Sequence, residues 1–213
     1  MKIPRIVPSN TGVVLIDVQA AFLDLAFPDG GPDLEALLLR LEHLLMLADW
    51  LELPTVTTFE TPTAENGELP DRLAKVFPAV GEKHVKSFFG CVSEPPIISA
   101  IERMGVRQLA VAGAETDVCV LQSSLGLLEK GYEVFLLEDC VFTTEPHPGP
   151  ALRRMYQAGA VPTTLKTMAY ELVQCADRIP WYPEYWAADY QPEKPFPEAF
   201  MSPESWPTWK STF

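Results

Sequence analysis

Asp17, Lys86 and Cys119 are the residues whose types and positions suggest joint chemistry. Asp17 directly follows the apolar run Val13-Val-Leu-Ile16, Lys86 lies in Lys83-His-Val-Lys-Ser-Phe88, and Cys119 restarts an apolar pattern after Val111-Ala-Gly-Ala-Glu-Thr-Asp117. A free thiol has a pKa of about 8.5 and is mostly protonated at neutral pH. A helix N-terminus and a nearby lysine both favour the thiolate, and a carboxylate can accept the thiol proton. The unpaired N–H groups at a helix start point where a tetrahedral oxyanion would form. Together the three side chains would supply a nucleophile, charge stabilisation and a proton shuttle. Each also has a plain reading: an aspartate that caps a loop, a solvated lysine, a cysteine that packs as a small apolar residue.

What brings them together must be the arrangement of the elements that carry them. Short β-branched runs alternate with longer helical patterns along the chain. Strands are predicted at 12–18, 54–60, 83–88, 107–113, 132–139 and 160–165. Between the first two, Leu34, Leu37, Leu38, Leu41, Leu44, Leu45 and Ala48 recur at helical spacing, with Asp33 placed to cap the start. Helices are also predicted over 95–104, with Pro95 and Pro96 in the first turn, over 117–131, ending at a glycine, and near 149–159. Alternation of this kind with continuous apolar strands predicts an α/β three-layer sandwich around a parallel sheet. In such folds the ligand crevice lies beyond the carboxyl ends of the strands, where Asp17, Lys86 and Cys119 are expected.

Composition narrows the classes. The chain has 213 residues, 47% of them apolar, enough for one large domain with a sizeable core. Its net charge of −13 suits neither phosphate backbones nor anionic membranes, so nucleic-acid and membrane partners are not expected. No apolar run reaches membrane-spanning length, and Asp17 interrupts the first one too early for a secretory leader, which predicts a cytoplasmic protein. Cys91, Cys119, Cys140 and Cys175 are widely spaced and are expected as free thiols. Beyond about residue 178 the texture changes: seven prolines break regular structure while Trp181, Trp186, Trp206 and Trp209 supply large apolar area. The expected organisation is a domain over 1–178 and an arm over 179–213 that docks on its own subunit or on a partner.

The segments D17-x-Q19-x-x-F22, K86-S-F-F and G-A-E-T-D-V-C119-V resemble the isochorismatase-like cysteine hydrolases, in order, over about residues 10–175. The resemblance implies a six-stranded parallel sheet and an Asp17-Lys86-Cys119 triad, with Asp17 as general base and later acid. It implies a non-proline cis peptide between Ala114 and Glu115, and an oxyanion hole from the N–H groups of Glu115 and Cys119. A homo-oligomer, dimer or tetramer, acting on a small molecule is also expected, the arm being placed to cover an apolar surface. The metal-dependent nicotinamidases of that family share a D-x-H pair and a further histidine after the second strand. Here that place reads T57-T-F-E60-T-P, and His43, His84 and His147 have no ligand spacing, so neither metal nor other cofactor is expected.

Isochorismatases of the family cleave an enol ether, which needs an acid and no thiol. A complete triad instead points to cleavage of a C–N bond in a small amide, ureido or carbamoyl compound through a thioester at Cys119. Enol-ether hydrolysis, a retired enzyme serving as an oligomeric binding module, and a thiol redox sensor remain as alternatives. Phe22, Glu60, Phe88 and Phe89 are candidate pocket residues. The Glu115 side chain either faces the pocket or pairs with a structural arginine such as Arg107.

Overall fold

In the computed structural model, residues 4–174 are described; Cys175 and the arm over 179–213 lie outside them. Six parallel strands form one sheet in the order β3-β2-β1-β4-β5-β6: β1 Thr11–Ile16, β2 Thr55–Glu60, β3 Glu82–Lys86, β4 Gln108–Gly113, β5 Glu133–Val141 and β6 Val161–Thr163. The helices are α1 Ala20–Ala26, α2 Pro32–Trp50, α3 Thr63–Asn66, α4 Asp71–Ala74, α5 Pro95–Arg103, α6 Cys119–Glu129, α7 Gly149–Gln157 and α8 Leu165–Val173.

The central strands β1 and β4 are buried along their whole length, as strands covered on both faces must be. Along β1 the side chains alternate. Val13 and Leu15 join a core with Leu41, Leu44 and Leu45 of α2 and Met168 and Leu172 of α8. Val14 and Ile16 face the other core, with Ile97 and Ile101 of α5, Val120 of α6 and Met155 of α7. Each fully buried Leu or Ile stabilises the fold by roughly 1.5–3 kcal/mol, so the two faces together fix which way every strand turns.

The chain builds outward from β1 through β2 to β3, then returns to start β4 on the other side of β1. That reversal makes β1 and β4 neighbours whose connections leave in opposite directions, opening a crevice at their carboxyl ends. Gly113 closes β4 there with φ +115°, and a Cβ at this position would lie 1.9 Å from the Ile16 carbonyl oxygen. Only glycine permits so close an approach.

The structure shifts some predicted boundaries. The first strand stops at Ile16, leaving Asp17 beyond it, and α2 begins at Pro32 with Gly31 as its cap, so Asp33 lies inside the first turn. Helices α1, α3, α4 and α8 have no counterpart among the predicted elements.

Candidate functional site

Four chain segments end on one rim. Asp17 follows β1, Glu60 and Lys86 are the last residues of β2 and β3, and Cys119 is the first of α6. Register sets the lateral spacing: Ile16 sits beside Thr58 on one side and Gly113 on the other, and Glu60 beside Lys86. Asp17 adopts φ 47°, a left-handed conformation that aspartate tolerates better than most residues. Its N–H donates to the Thr58 carbonyl at 3.1 Å, and the Thr58 hydroxyl donates to Asp17 Oδ1 at 2.7 Å. Thr58 is thus a buried polar residue of the site that the sequence reading missed. Its signal was a hydroxyl in the middle of a strand otherwise suited to the core.

Lys86 Nζ lies 2.6 Å from Asp17 Oδ2, with both side chains fully enclosed. It also lies 3.4 Å from Cys119 Sγ and 3.5 Å from Glu60 Oε2. The thiol of Cys119 donates to Glu60 Oε2 at 3.0 Å. The donor atoms of Asp17, Glu60 and Cys119 fall within 4.8 Å of one another, a spacing that suits a cation, and the Lys86 ammonium supplies one in their midst.

Burial raises the pKa of Asp17 despite the opposing pull of Lys86. For Lys86 burial acts downward, but Asp17, helped by Cys119 and Glu60, outweighs it and leaves the ammonium firmly charged. The Cys119 thiol is pushed well above its ordinary range, first by burial, then by the Asp17 charge and the hydrogen bond to Glu60. This corrects the expectation that the lysine and helix start would expose a thiolate: two carboxylates and a low-dielectric site overrule them, and the resting sulfur carries its proton. Cys91 and Cys140 are wholly buried, and burial raises both, Cys91 to about 11, with Ser123 hydrogen-bonded to Cys91 and Asp139 to Cys140.

The Ala114–Glu115 peptide is cis. Around it, Ala114 N–H donates to the Ile16 carbonyl, Thr116 N–H to Phe142, and both Val118 and Val120 N–H to the Glu115 carbonyl. The N–H groups of Glu115 and Cys119 have no such acceptor among the described residues. The Glu115 side chain does not pair with Arg107. Its Oε1 accepts from the Thr144 backbone N–H at 3.1 Å and hydroxyl at 2.5 Å, tying down the loop after β5, while Arg107 stacks over Tyr132. Phe22 packs against the core beside α2, and Phe88 and Phe89 are exposed, 60% and 49%, on the loop after β3.

Residues 11–167 match the isochorismatase domain. The chain is 30% identical over 171 residues to the probable hydrolase YcaC of Escherichia coli, covering 79% of this chain and 80% of that one. It is 28% identical to isochorismatase family protein 1B of Dictyostelium discoideum, over 81% and 82% of the two chains. Among solved structures, YcaC from Pseudomonas aeruginosa with hexane-2,5-diol and covalent acrylamide superposes with a TM-score of 0.75 at 28% identity, covering 82% of this chain and 86% of that one. The Escherichia coli YcaC structure, an octameric hydrolase of unknown specificity, gives 0.74 at 29% identity, covering 82% and 85%.

Proposed function

The chain belongs to the isochorismatase family of hydrolases, and from that premise we propose that it is a metal-independent cysteine hydrolase cleaving a C–N bond of a small amide, ureido or carbamoyl compound. The observation that carries this reading is the convergence of the Cys119 thiol, the Lys86 ammonium and two carboxylates within hydrogen-bonding range at the β1/β4 crevice. Enol-ether cleavage needs an acid but gives a thiol nothing to do. Acyl transfer uses every group present.

On this reading the sulfur of Cys119 attacks the carbonyl carbon and its proton leaves to a carboxylate. Charge gathering on the carbonyl oxygen is met by the N–H groups of Glu115, in the turn before α6, and of Cys119 at its start, where an anion is favoured. The nitrogen departs with a proton, leaving a thioester that water hydrolyses, and sulfur recovers its proton. Asp17 acts as general base and later acid, and Lys86, held charged by Asp17, stabilises the developing negative charge. Covalent acrylamide in the Pseudomonas aeruginosa neighbour supports a reactive nucleophile in this fold, since thiols add to acrylamide. The octameric neighbour likewise supports a homo-oligomer, and the exposed Val85, Phe88 and Phe89 near the outer strand β3 offer apolar surface for one.

The test is ammonia or amine release from a panel of small amides, ureido acids and carbamoyl compounds, run beside isochorismate. At least one C–N substrate is expected to turn over, with intact mass showing an acyl adduct on Cys119. Turnover of isochorismate alone, surviving in Cys119→Ala, would replace this reading with the enol-ether one.

A further inference from the structure

Asp17 and Glu60 both bear on sulfur, and Glu60 is the less committed of the two. The thiol donates to Glu60 Oε2 at 3.0 Å. Both Asp17 oxygens are otherwise engaged, Oδ1 by the Thr58 hydroxyl at 2.7 Å and Oδ2 by Lys86 at 2.6 Å. Protonating Asp17 would neutralise the nearer counter-ion of a wholly enclosed ammonium, 2.6 Å away, and so costs more than protonating Glu60. Protonating Glu60 removes only the more distant partner of Lys86, 3.5 Å away, from a side chain that is 18% exposed.

The Gln19 of D17-x-Q19 has no part in the mechanism so far, and the structure gives it one. It is fully buried at the start of α1 but makes no capping bond to its own helix. Its Oε1 instead accepts from the Glu60 backbone N–H at 2.6 Å, and its Nε2 donates to the Glu60 carbonyl at 3.2 Å and the Gly67 carbonyl at 2.8 Å. Asn66 Nδ2 donates to the same Glu60 carbonyl at 3.1 Å. Both backbone polar groups of Glu60 are therefore gripped by buried or half-buried amides, which fixes where its side chain begins.

We propose that Glu60 is a fourth catalytic residue that takes the Cys119 proton as sulfur attacks, and that Gln19 is the positioning residue that aims it. This rests on the acyl-enzyme reading above and moves one of the proton transfers given there to Asp17. The S–H bond breaks as the S–C bond forms, with the proton passing to Glu60 Oε2. When the C–N bond breaks, that proton goes to the departing nitrogen, and Glu60 ends as it began. Asp17 keeps the second half of the cycle, in which water gives up a proton and sulfur regains one.

The charged groups facing sulfur are Asp17 after β1, Glu60 of β2 and Lys86 of β3, and Glu60→Gln changes one of them alone. The experiment reads two quantities in the full chain: the pH dependence of Cys119 alkylation by iodoacetamide, mapped by peptide mass, and steady-state turnover. Glu60→Gln removes a negative charge and an anionic acceptor from sulfur, so the alkylation midpoint moves to lower pH. Turnover falls by about 10²-fold or more, because the thiolate, though easier to form, has lost its proton acceptor. A residue with a merely structural role would not give those opposite signs. An unmoved midpoint, or kcat within about threefold of wild type, overturns the proposal. Gln19→Leu should move both quantities the same way by less, and add nothing to the turnover loss of Glu60→Gln; additive losses overturn its positioning role. Failure of the acyl-enzyme reading shows separately, as turnover that survives in Cys119→Ala.

Discussion

Among the described residues, an ion pair is enclosed at the β1/β4 crevice and another is half-buried near the end of β5, and they are built differently. At the β1/β4 crevice, Asp17 and Lys86 form an enclosed ion pair with a thiol and a second carboxylate against it. Near the end of β5, Asp139 pairs with Arg40 of α2 at 3.7 Å and accepts the Leu165 N–H at 2.9 Å. Both aspartates are raised in pKa by burial and held in check by a cation. The difference lies in what the carboxylates are for. Asp139 turns one oxygen to the first N–H of α8 and the other to Arg40 of α2 in the same layer, so it ties two helices to the end of β5. At the crevice the bonds run between side chains and end on a nucleophile beside N–H groups without acceptors. A buried ion pair alone is therefore no mark of a site; convergence on a reactive atom is.

The sharpest way to break that comparison is to remove the reactive atom. Cys119→Ala should leave melting close to wild type and lower turnover by more than about 10³-fold, since no other group there can form the acyl intermediate. Asp139→Ala should leave kcat within about threefold. If Cys119→Ala kept near-normal kcat, or Asp139→Ala lost it, the division between the two clusters would be wrong.

Next in size is the structural cost of the crevice itself. Lys86→Ala strips the cation from enclosed carboxylates, and breaking a buried pair in this way costs about 3–5 kcal/mol. Denaturant unfolding should show it as a fall in midpoint without a change in slope. At the other cluster, Asp139→Ala removes an acceptor from the Leu165 N–H and should cost less, about 1–3 kcal/mol. Equal costs would mean that Lys86 is better solvated than its enclosure implies.

How far the sequence foretold this layout depends on which contacts are local. The central strands were legible because β1 and β4 carry the continuous apolar runs 13–16 and 109–112, and a run buried on both faces needs no alternation to be read. The rim positions of Asp17, Lys86 and Cys119 followed from the strand ends. Helix α1 was not legible, since Leu23 is its only buried residue and the apolar stripe is too narrow to register. Helix α8 had a stripe, at Leu165, Met168, Ala169, Leu172 and Val173, and a Thr164 cap, but the preceding strand pattern was carried one residue too far into it. The bond from Glu115 to Thr144 spans 29 residues of chain and leaves no local trace. Glu60 was visible as a strand-end carboxylate, whereas its grip by Gln19 comes from a contact 41 residues away. The direction of the Cys119 shift failed for a related reason: helix start and lysine are visible in sequence, but the depth of burial that outweighs them is not.

The smallest expected effect separates the clusters by pH. His43 lies on α2 one turn beyond Arg40, fully enclosed, and burial lowers its pKa from 6.5 to about 4, with Arg72 adding to the fall and Glu42 opposing it. A histidine held neutral in the folded state binds a proton more readily once unfolded. Its contribution to stability is therefore complete above pH 6.5 and is lost as pH falls from about 6.5 towards 4. The loss between pH 7 and pH 5 should amount to about 1–2 kcal/mol in wild type. His43→Leu cannot bind that proton, so its urea midpoint should vary less over the same interval, whatever its stability at pH 7. Because His43 is absent from the groups that act on Asp17, Lys86 and Cys119, the variant's pH profile for turnover should keep the wild-type shape even where its stability profile flattens. A turnover profile that moved with the stability profile would show that the two clusters are coupled through the sheet, and the separation drawn between them would fail.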